Sequence, residues 1–502
     1  MMKKTAALLA LMGTVAGCTV GPNYTPPQLA VPTAYSGPQA AMPPGQAIDP
    51  ARWWDAFGDP VLAGLIDRAL KDNPDMATAA SRVRQARLGE IQARAQYKPL
   101  VNADANVTDV RFSKNAGFSQ LARAFGGGGS GSGSGSSGAT AGGIALPGDS
   151  IKTFAVGFDA SWELDVFGGG RRGVEGALAR TEAAEWSRRD AAVTLAAEVA
   201  DAYFALRLDQ DQVAVLNGEI ERQARALQIS GNIAKVGLVP AIDVTRQNGN
   251  ITATRARLEP LKADLDVRKH ALGTLIGQNP EALLGELSTA LPVLAPLPAI
   301  PTGLPSDLLR RRPDVRAAER NLAAATADIG VAVADLYPKF SLTGLAQLIS
   351  TTLGNLFTGD SLQLTGTGAA TFPLLDWGRR KATVGMRKEL REQAYQDYRS
   401  TVLTALRDVE DALSRIDAER RRNALLRQAL GDADRSATAD LSRYQAGLVA
   451  QDTVLNTQID VLRARENLAA SDAQLRQYSV ALFKAIGGGW SETMAEPARG
   501  AN

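Results

Sequence analysis

The sequence predicts an α+β membrane protein in which very long helices carry a few membrane-type β-strands, built from two copies of one plan. Three observations predict it. From Val174 to Lys235 there are 62 residues without a proline and with only three glycines, Gly176, Gly218 and Gly231. Apolar residues recur there at Val199, Tyr203, Leu206, Val213, Leu216, Ile220 and Leu227, in steps of three and four or their sums, the seam of a helix packed on other helices. From Phe154 to Leu164 the period changes to two: Phe154, Val156, Phe158, Ala160, Trp162 and Leu164 alternate with small or polar residues. Finally, much of the first half recurs in the second. A helix of roughly 93 Å cannot bury its own seam, so it requires neighbours of similar length.

Composition narrows the chemistry. The 502 residues are 45% hydrophobic and 22% charged, with a formal net charge of +2, which gives no reason to expect nucleic acid as a partner. No apolar run reaches the length of a transmembrane helix. One histidine, His270, and one cysteine, Cys18, argue against a zinc site, a disulfide framework or histidine acid–base catalysis. The expectation is a protein that is not an enzyme and holds no cofactor or metal.

In chain order, residues 1–17 read as a signal peptide: Lys3-Lys4, an apolar centre from Ala6 to Met12, then small residues before Cys18. Residues 18–52, with Pro22, Pro26, Pro27, Pro32, Pro38, Pro43 and Pro44, read as an extended N-terminal tether. Repeat 1 is expected over 53–286. It opens on Trp53-Trp54 and Phe57, then a helix capped by Asp59 with Pro60 at its first position. Asn73-Pro74-Asp75 starts a second helix, to about Gln96. Strands follow at about 100–112, where the alternation slips after Val107, and at 154–164. The Gly/Ser-rich stretch 126–138 between them lacks a phosphate-loop ending and reads as a flexible loop. The long helix comes next, then a turn at Gly237-Leu238-Val239 and a returning helix to about Gly277.

Residues 287–312 form a proline-rich crossover, in which Arg310-Arg311-Arg312 reads as salt-bridging rather than as an anion site. Repeat 2 is expected over 313–487 and a polar tail over 488–502. The matched blocks are Asn73-Pro74-Asp75 with Arg312-Pro313-Asp314, Tyr97 with Tyr337, and Leu164-Asp165 with Leu375-Asp376. Gly237 matches Gly447, and Gly277 matches Gly487. Repeat 2 adds strands at about 340–349 and 362–374. In each repeat the two shorter helices together are comparable in length to the long one, so placed end to end they could run alongside it. Four strands cannot close a barrel, and open edges are not tolerated in lipid, so copies must combine. Length and periodicity allow a dimer or a trimer.

The chain resembles the outer-membrane factors of tripartite efflux pumps, in their lipidated, NodT-like branch. The residues that carry this are Cys18-Thr-Val-Gly-Pro-Asn-Tyr24, Trp53-Trp54, Asp307 to Val315 with Glu319, Ile329-Gly330, Tyr337-Pro338 and Tyr444-Gln-Ala-Gly447. The resemblance implies a homotrimer with one twelve-stranded transmembrane β-barrel, continuous with a long periplasmic α-helical barrel. Cys18, in a block resembling a lipobox, would be acylated and held in outer-membrane lipid, the channel extending into the periplasm of a Gram-negative bacterium. The implied partners are a periplasmic adaptor (membrane fusion) protein and an inner-membrane RND-type transporter. An exit duct for a type I secretion system, or a lipid-anchored coiled-coil scaffold without a pore, are the alternatives.

A passive duct needs a polar lumen, and Asp159, Ser161 and Glu163 are the lumen candidates, opposite the lipid-facing Phe154, Phe158 and Trp162. It also needs a constriction. By resemblance the periplasmic gate candidates are Asp243, Tyr444, Asp452 and Asn456, although Thr453 and Asn456 stand where relatives often carry aspartates. Capping of their helices is the competing role for Asp243 and Asp452. The tips Gly237, Leu238, Val239 and Gly447, Leu448, Val449 are the adaptor-contact candidates.

Overall fold

The computed structural model describes residues 19–37, 48–111, 150–235, 240–288 and 305–490; Cys18, the 126–138 loop and the tip Gly237, Leu238 and Val239 lie outside the described residues. The chain divides into two compact units. The first comprises Met1–Asn23, Glu90–Gly176 and Thr326–Glu389, and the second Tyr24–Gly89, Ala177–Ala325 and Leu390–Asn502.

The first unit holds the sheet. Strands β1 (Leu100–Arg111), β2 (Ser150–Leu164), β3 (Lys339–Ser350) and β4 (Leu362–Thr371) pair antiparallel in the order β1-β2-β3-β4. β4 stops three residues short of the expected end, before Phe372-Pro373, because proline has no N–H to offer the ladder. Pairing Phe158 with Ala103 and Ala346, and Trp162 with Leu342, sets the apolar residues of neighbouring strands on one face. Pairing Asp159 with Asn102, and Glu163 with Ser341, sets polar ones on the other. The slip of alternation in β1 is not a bulge: register runs unbroken to Arg111. Asp109 stands opposite Lys152, their charges 3.8 Å apart. The apolar face therefore ends there in an ion pair.

Both strand-to-helix corners of this unit are built alike. The Asp165 carboxylate accepts from the Gly170 and Arg171 N–H groups at the start of α3 (Gly169–Lys235). Asp376 accepts from Gly378 and Arg380 at the start of α7 (Arg379–Gln445). A carboxylate suits the positive end of a helix dipole.

The second unit holds the helical core. Helix α1 (Pro60–Asp72) begins as expected, with Asp59 accepting from the Val61 and Leu62 N–H groups. The same carboxylate accepts a 2.5 Å bond from the Tyr203 hydroxyl, and both residues are buried. Trp53, Trp54 and Phe57 are buried, and Trp53 lies stacked on Phe483 with ring centroids 5.1 Å apart. Tyr203→Phe would leave part of a buried carboxylate without its donor. It is expected to cost about 1–3 kcal/mol, read as a lower unfolding temperature than that of the unsubstituted protein.

Helices α3 and α7 are each 67 residues, about 100 Å of helix at 1.5 Å per residue. The returning helices α4 (Ala241–Leu275) and α8 (Gln451–Ala485) have 35 residues each, and α4 accommodates Pro260. The flanking helices are α2 (Pro74–Gln96) and, after a short α5 (Pro305–Arg311) inside the crossover, α6 (Pro313–Ala334). The end of each returning helix meets the start of a flanking one. The Asn73 amide donates to the Leu275 carbonyl at 2.8 Å, and Arg312 Nη1 donates to the Ala485 carbonyl at 3.1 Å. Gly277 (φ 74°) and Gly487 (φ 77°) cap the two ends, each with no room for a Cβ: one would lie 2.3 Å from Asp72 O, the other 2.9 Å from Arg311 O. Arg312 is buried in ion pairs with Asp314 and Asp408, a structural role.

Two segments read as loose are packed where they are described. Residues 19–37 are irregular, yet the Ser36 and Gly37 N–H groups donate to Glu410, Tyr35 is buried, and Val20 N–H donates to the Phe167 carbonyl. Beyond α8, Gly489 N–H donates to the Pro50 carbonyl and Trp490 packs edge-on to Trp186. Neither segment has periodicity, because side chains and isolated carbonyls, not ladders, satisfy its backbone.

Candidate functional site

In the second unit, the turn after α7 is closed by two backbone bonds, Gly447 N–H to the Tyr444 carbonyl and Leu448 N–H to the Arg443 carbonyl. This Schellman-type stop leaves Leu448 71% exposed at the tip. Helix α8 then starts with Asp452 in its first turn, as α4 starts with Asp243. Neither start has a side-chain cap bond, and the N-cap positions are Pro240 and Ala450. Capping therefore does not account for the two carboxylates, although each sits where a helix dipole favours negative charge.

The two carboxylates are joined by a residue that sequence reading missed. Arg246 Nη1 lies 3.1 Å from Asp452 Oδ1 and 3.5 Å from Asp243 Oδ1. Arg246 and Asp452 are both more than half exposed and Asp243 less so. The signal in the sequence was the i,i+3 spacing of Asp243 and Arg246, which any salt-bridged helix shares. Nothing local could reveal the long-range half of the contact. Further along the same two helices, Arg257 pairs with Glu466 at 2.6 Å. Near the tip, the Gln451 amide donates to Ser230 on α3 at 3.0 Å. At this second level the Thr254 hydroxyl on α4 donates to Gln223 on α3, so α3, α4 and α8 are tied at both levels beside an open groove of about 360 Å³ lined by Glu219, Gln223, Arg257, Ile459, Leu462 and Glu466. Tyr444 and Asn456 lie outside this ion-paired group. Tyr444 is half-buried in the last turn of α7, and Asn456 is exposed one turn beyond Asp452.

In the first unit, Asp159, Ser161 and Glu163 share one face of β2. Asp159 accepts from the Asn102 amide at 3.2 Å, and Glu163 lies 3.5 Å from Lys339 Nζ. Asp104 and Asn106 continue that face on β1. On the opposite face Phe158 is 61% and Leu364 71% exposed. Across the chain, motif residues far apart in sequence meet. The Tyr24 hydroxyl donates to Glu319 at 2.7 Å, within the second unit. Burial, and the carboxylate beside it, push that hydroxyl's pKa well above the usual tyrosine range. Within the first unit, buried Arg172 donates to Asn23 and Glu175, and Gly21 presses against Gly330. Among the described residues no helix is long and apolar enough to cross a membrane, and no metal-ligating cluster occurs.

Comparison with known families decides the identity. The model of the outer membrane efflux protein family matches residues 65–278 and 304–488. The chain belongs to that family. This outer membrane efflux protein is 30% identical over 98% of both chains to the pyoverdine export outer membrane protein OpmQ of Pseudomonas aeruginosa. It is 29% identical to nodulation protein T of Rhizobium leguminosarum bv. viciae, covering 97% of this chain and 93% of that one. Among solved structures it is similar to the outer-membrane channel OprN, with a TM-score of 0.82 and 29% identity over 94% of this chain and all of that one. The Campylobacter jejuni CmeC channel, at 21% identity and a TM-score of 0.82, shares the fold. The efflux protein is thus an outer-membrane channel reaching into the periplasm, and its relatives are channel and transport proteins.

Proposed function

We propose that this chain is the outer-membrane duct of a tripartite efflux pump, a passive homotrimer that exports small molecules. The observation that carries the reading is the four-stranded sheet, apolar on one face and polar on the other, with neither outer edge paired among the described residues. In lipid those edges must be satisfied, and three copies would give twelve strands in one closed barrel. The two structural repeats, 53–286 and 313–487, each supply one hairpin and one long helical pair, with 287–312 as the crossover. Asp159, Ser161 and Glu163 line the lumen, where acidic groups favour cations. Acylated Cys18 holds the mature chain, after removal of residues 1–17, in the outer-membrane lipid.

Asp243 and Asp452, with Arg246, form the periplasmic gate in this reading, and Tyr444 and Asn456 flank it. The tips, Gly237 to Val239 and Gly447 to Val449, receive the periplasmic adaptor, which links the duct to an RND-type transporter. Exposed Leu448 supports that use of the tip. The names of relatives that export pyoverdine or toluene favour a small-molecule cargo.

The gate sets the test. An exposed ion pair contributes about 0.2–1 kcal/mol, so three of them hold the closed state by about 0.6–3 kcal/mol, roughly three- to 150-fold in the closed-to-open ratio. In planar bilayers Arg246→Ala is expected to raise the conducting fraction within that range. Wild-type conduction should rise with salt as screening weakens the same pairs. A protein that stays silent both as wild type and as Arg246→Ala would count against a duct. Conduction unchanged by the substitution would remove Arg246 from the gate.

A further inference from the structure

The corner between β4 and α7 carries a concentration of exposed apolar side chains. Phe372, Leu374, Leu375 and Trp377 are 52%, 87%, 73% and 90% exposed. Contiguous apolar surface of this kind marks a face that something covers. The corner between β2 and α3 shows what covers its counterpart. There Phe167 stacks on Tyr337, with ring centroids 4.7 Å apart and planes 24° apart, and its carbonyl accepts from Val20 N–H.

The two corners share their main bonds, although the second is one residue shorter between aspartate and glycine and Trp377, unlike Phe167, has a positive φ of 55°. Each has an aspartate capping the following helix, Asp165 or Asp376. Each has a glycine with φ near 80°, Gly168 or Gly378, whose carbonyl accepts the first helical bond, from Arg172 or Ala382 N–H. The residue before that glycine is Phe167 in one corner and Trp377 in the other. Tyr337 stands just before β3, and the tyrosine just before β1 is Tyr97. Phe167 reaches Tyr337 because β2 neighbours β3 in the sheet. The outer neighbour that β4 lacks among the described residues would present Tyr97 in the same way, if that neighbour were β1. Within one chain β1 and β4 are the two outer strands, three inter-strand spacings or about 14 Å apart. Trp377 therefore cannot meet the Tyr97 of its own chain.

We propose that Trp377 stacks on Tyr97 of a second copy of this chain, so that the seam between copies makes in trans the contact that Phe167 and Tyr337 make in cis. The inference rests on the oligomeric reading given above and adds to it a named contact. Tyr97 is prepared for the role: Gly170 lies so close to its ring that a Cβ there would come within 2.5 Å, which fixes the ring's position. The indole N–H of Trp162 donates to the Tyr97 carbonyl at 3.0 Å, which fixes its backbone.

A cysteine pair tests it. The chain's single native cysteine is Cys18, so Tyr97→Cys combined with Trp377→Cys adds two thiols that can join only between copies. Oxidised outer membranes of the double variant are expected to give dimer and trimer bands that collapse on reduction, and neither single variant should do so. An intact trimer without those bands would overturn the contact and leave the corner facing lipid or water. A monomer by native mass measurement would overturn the oligomeric reading as well. Should the double variant fail to reach the membrane, the detergent resistance of the trimer decides. Trp377→Tyr should keep it, while Trp377→Ser should dissociate about two- to tenfold faster for each stacked ring pair removed. Equal resistance of the two would also overturn the proposal.

Discussion

Replacing Phe158 by arginine is expected to remove the assembled protein from the outer membrane. Phe158 sits mid-strand in β2, on the face it shares with Ala103 and Ala346, and is 61% exposed. On a lipid-facing position near the bilayer centre, an arginine costs about 2–4 kcal/mol. In a trimer the cost recurs three times, about 6–12 kcal/mol, which equals the whole stability of an ordinary domain. Ser161→Arg, three residues along on the opposite face, should assemble normally and instead weaken cation preference, since it adds positive charge beside Asp159 and Glu163. Heat-modifiable trimer in outer-membrane fractions is the measurement. Normal levels of the Phe158 variant would show that this face does not meet lipid.

A smaller but still large loss is expected from Gly277→Val, for a different reason. Gly277 has φ 74°, and a Cβ there would come 2.3 Å from the Asp72 carbonyl oxygen, which is backbone and cannot rotate away. Left-handed backbone costs a residue with a Cβ about 1–2 kcal/mol, and forced overpacking about 1–3 kcal/mol more. Valine, branched at Cβ, should reach or exceed the sum of about 2–5 kcal/mol. It would also part the Asn73–Leu275 bond that joins α1, α2 and α4. Gly447→Ala is the control. Its φ is 73°, but nothing lies within 4 Å of where its Cβ would be. That variant should lose only the backbone term, about 1–2 kcal/mol. Thermal unfolding of the purified proteins orders the two, and a Gly447 variant as unstable as the Gly277 one would show that space is not what decides.

Most of the strands and long helices were legible because they are long and keep one period, whereas the seven-residue α5 is too short to show one. β2 alternates over the whole of its apolar stretch, and α3 offers no proline in which to break. Caps were legible too: Asp59 with Pro60 gave the start of α1. The gate region was legible only in part. Asp243 and Asp452 could be placed at helix starts, but Arg246, which joins them, belongs to a contact across 206 residues of chain. The packing of residues 19–37 and 488–490 was illegible for a related reason: irregular backbone leaves no periodic trace, however well its groups are bonded.

By itself, the sequence determined the kind of protein this is. Period two with a polar face and an apolar face suits a membrane-spanning strand, four such strands lead to the expectation of further copies, and 67-residue helices need neighbours of their own length. These follow from which groups water or lipid will accept, and each can be counted along the chain. What only the tertiary structure decided is who meets whom. That Arg246 bridges two helix starts, that Tyr24 donates to Glu319, and that Phe167 is covered while Trp377 is bare depend on strand order and helix register. Such contacts are selected by three-dimensional proximity, and a one-dimensional pattern carries no measure of that.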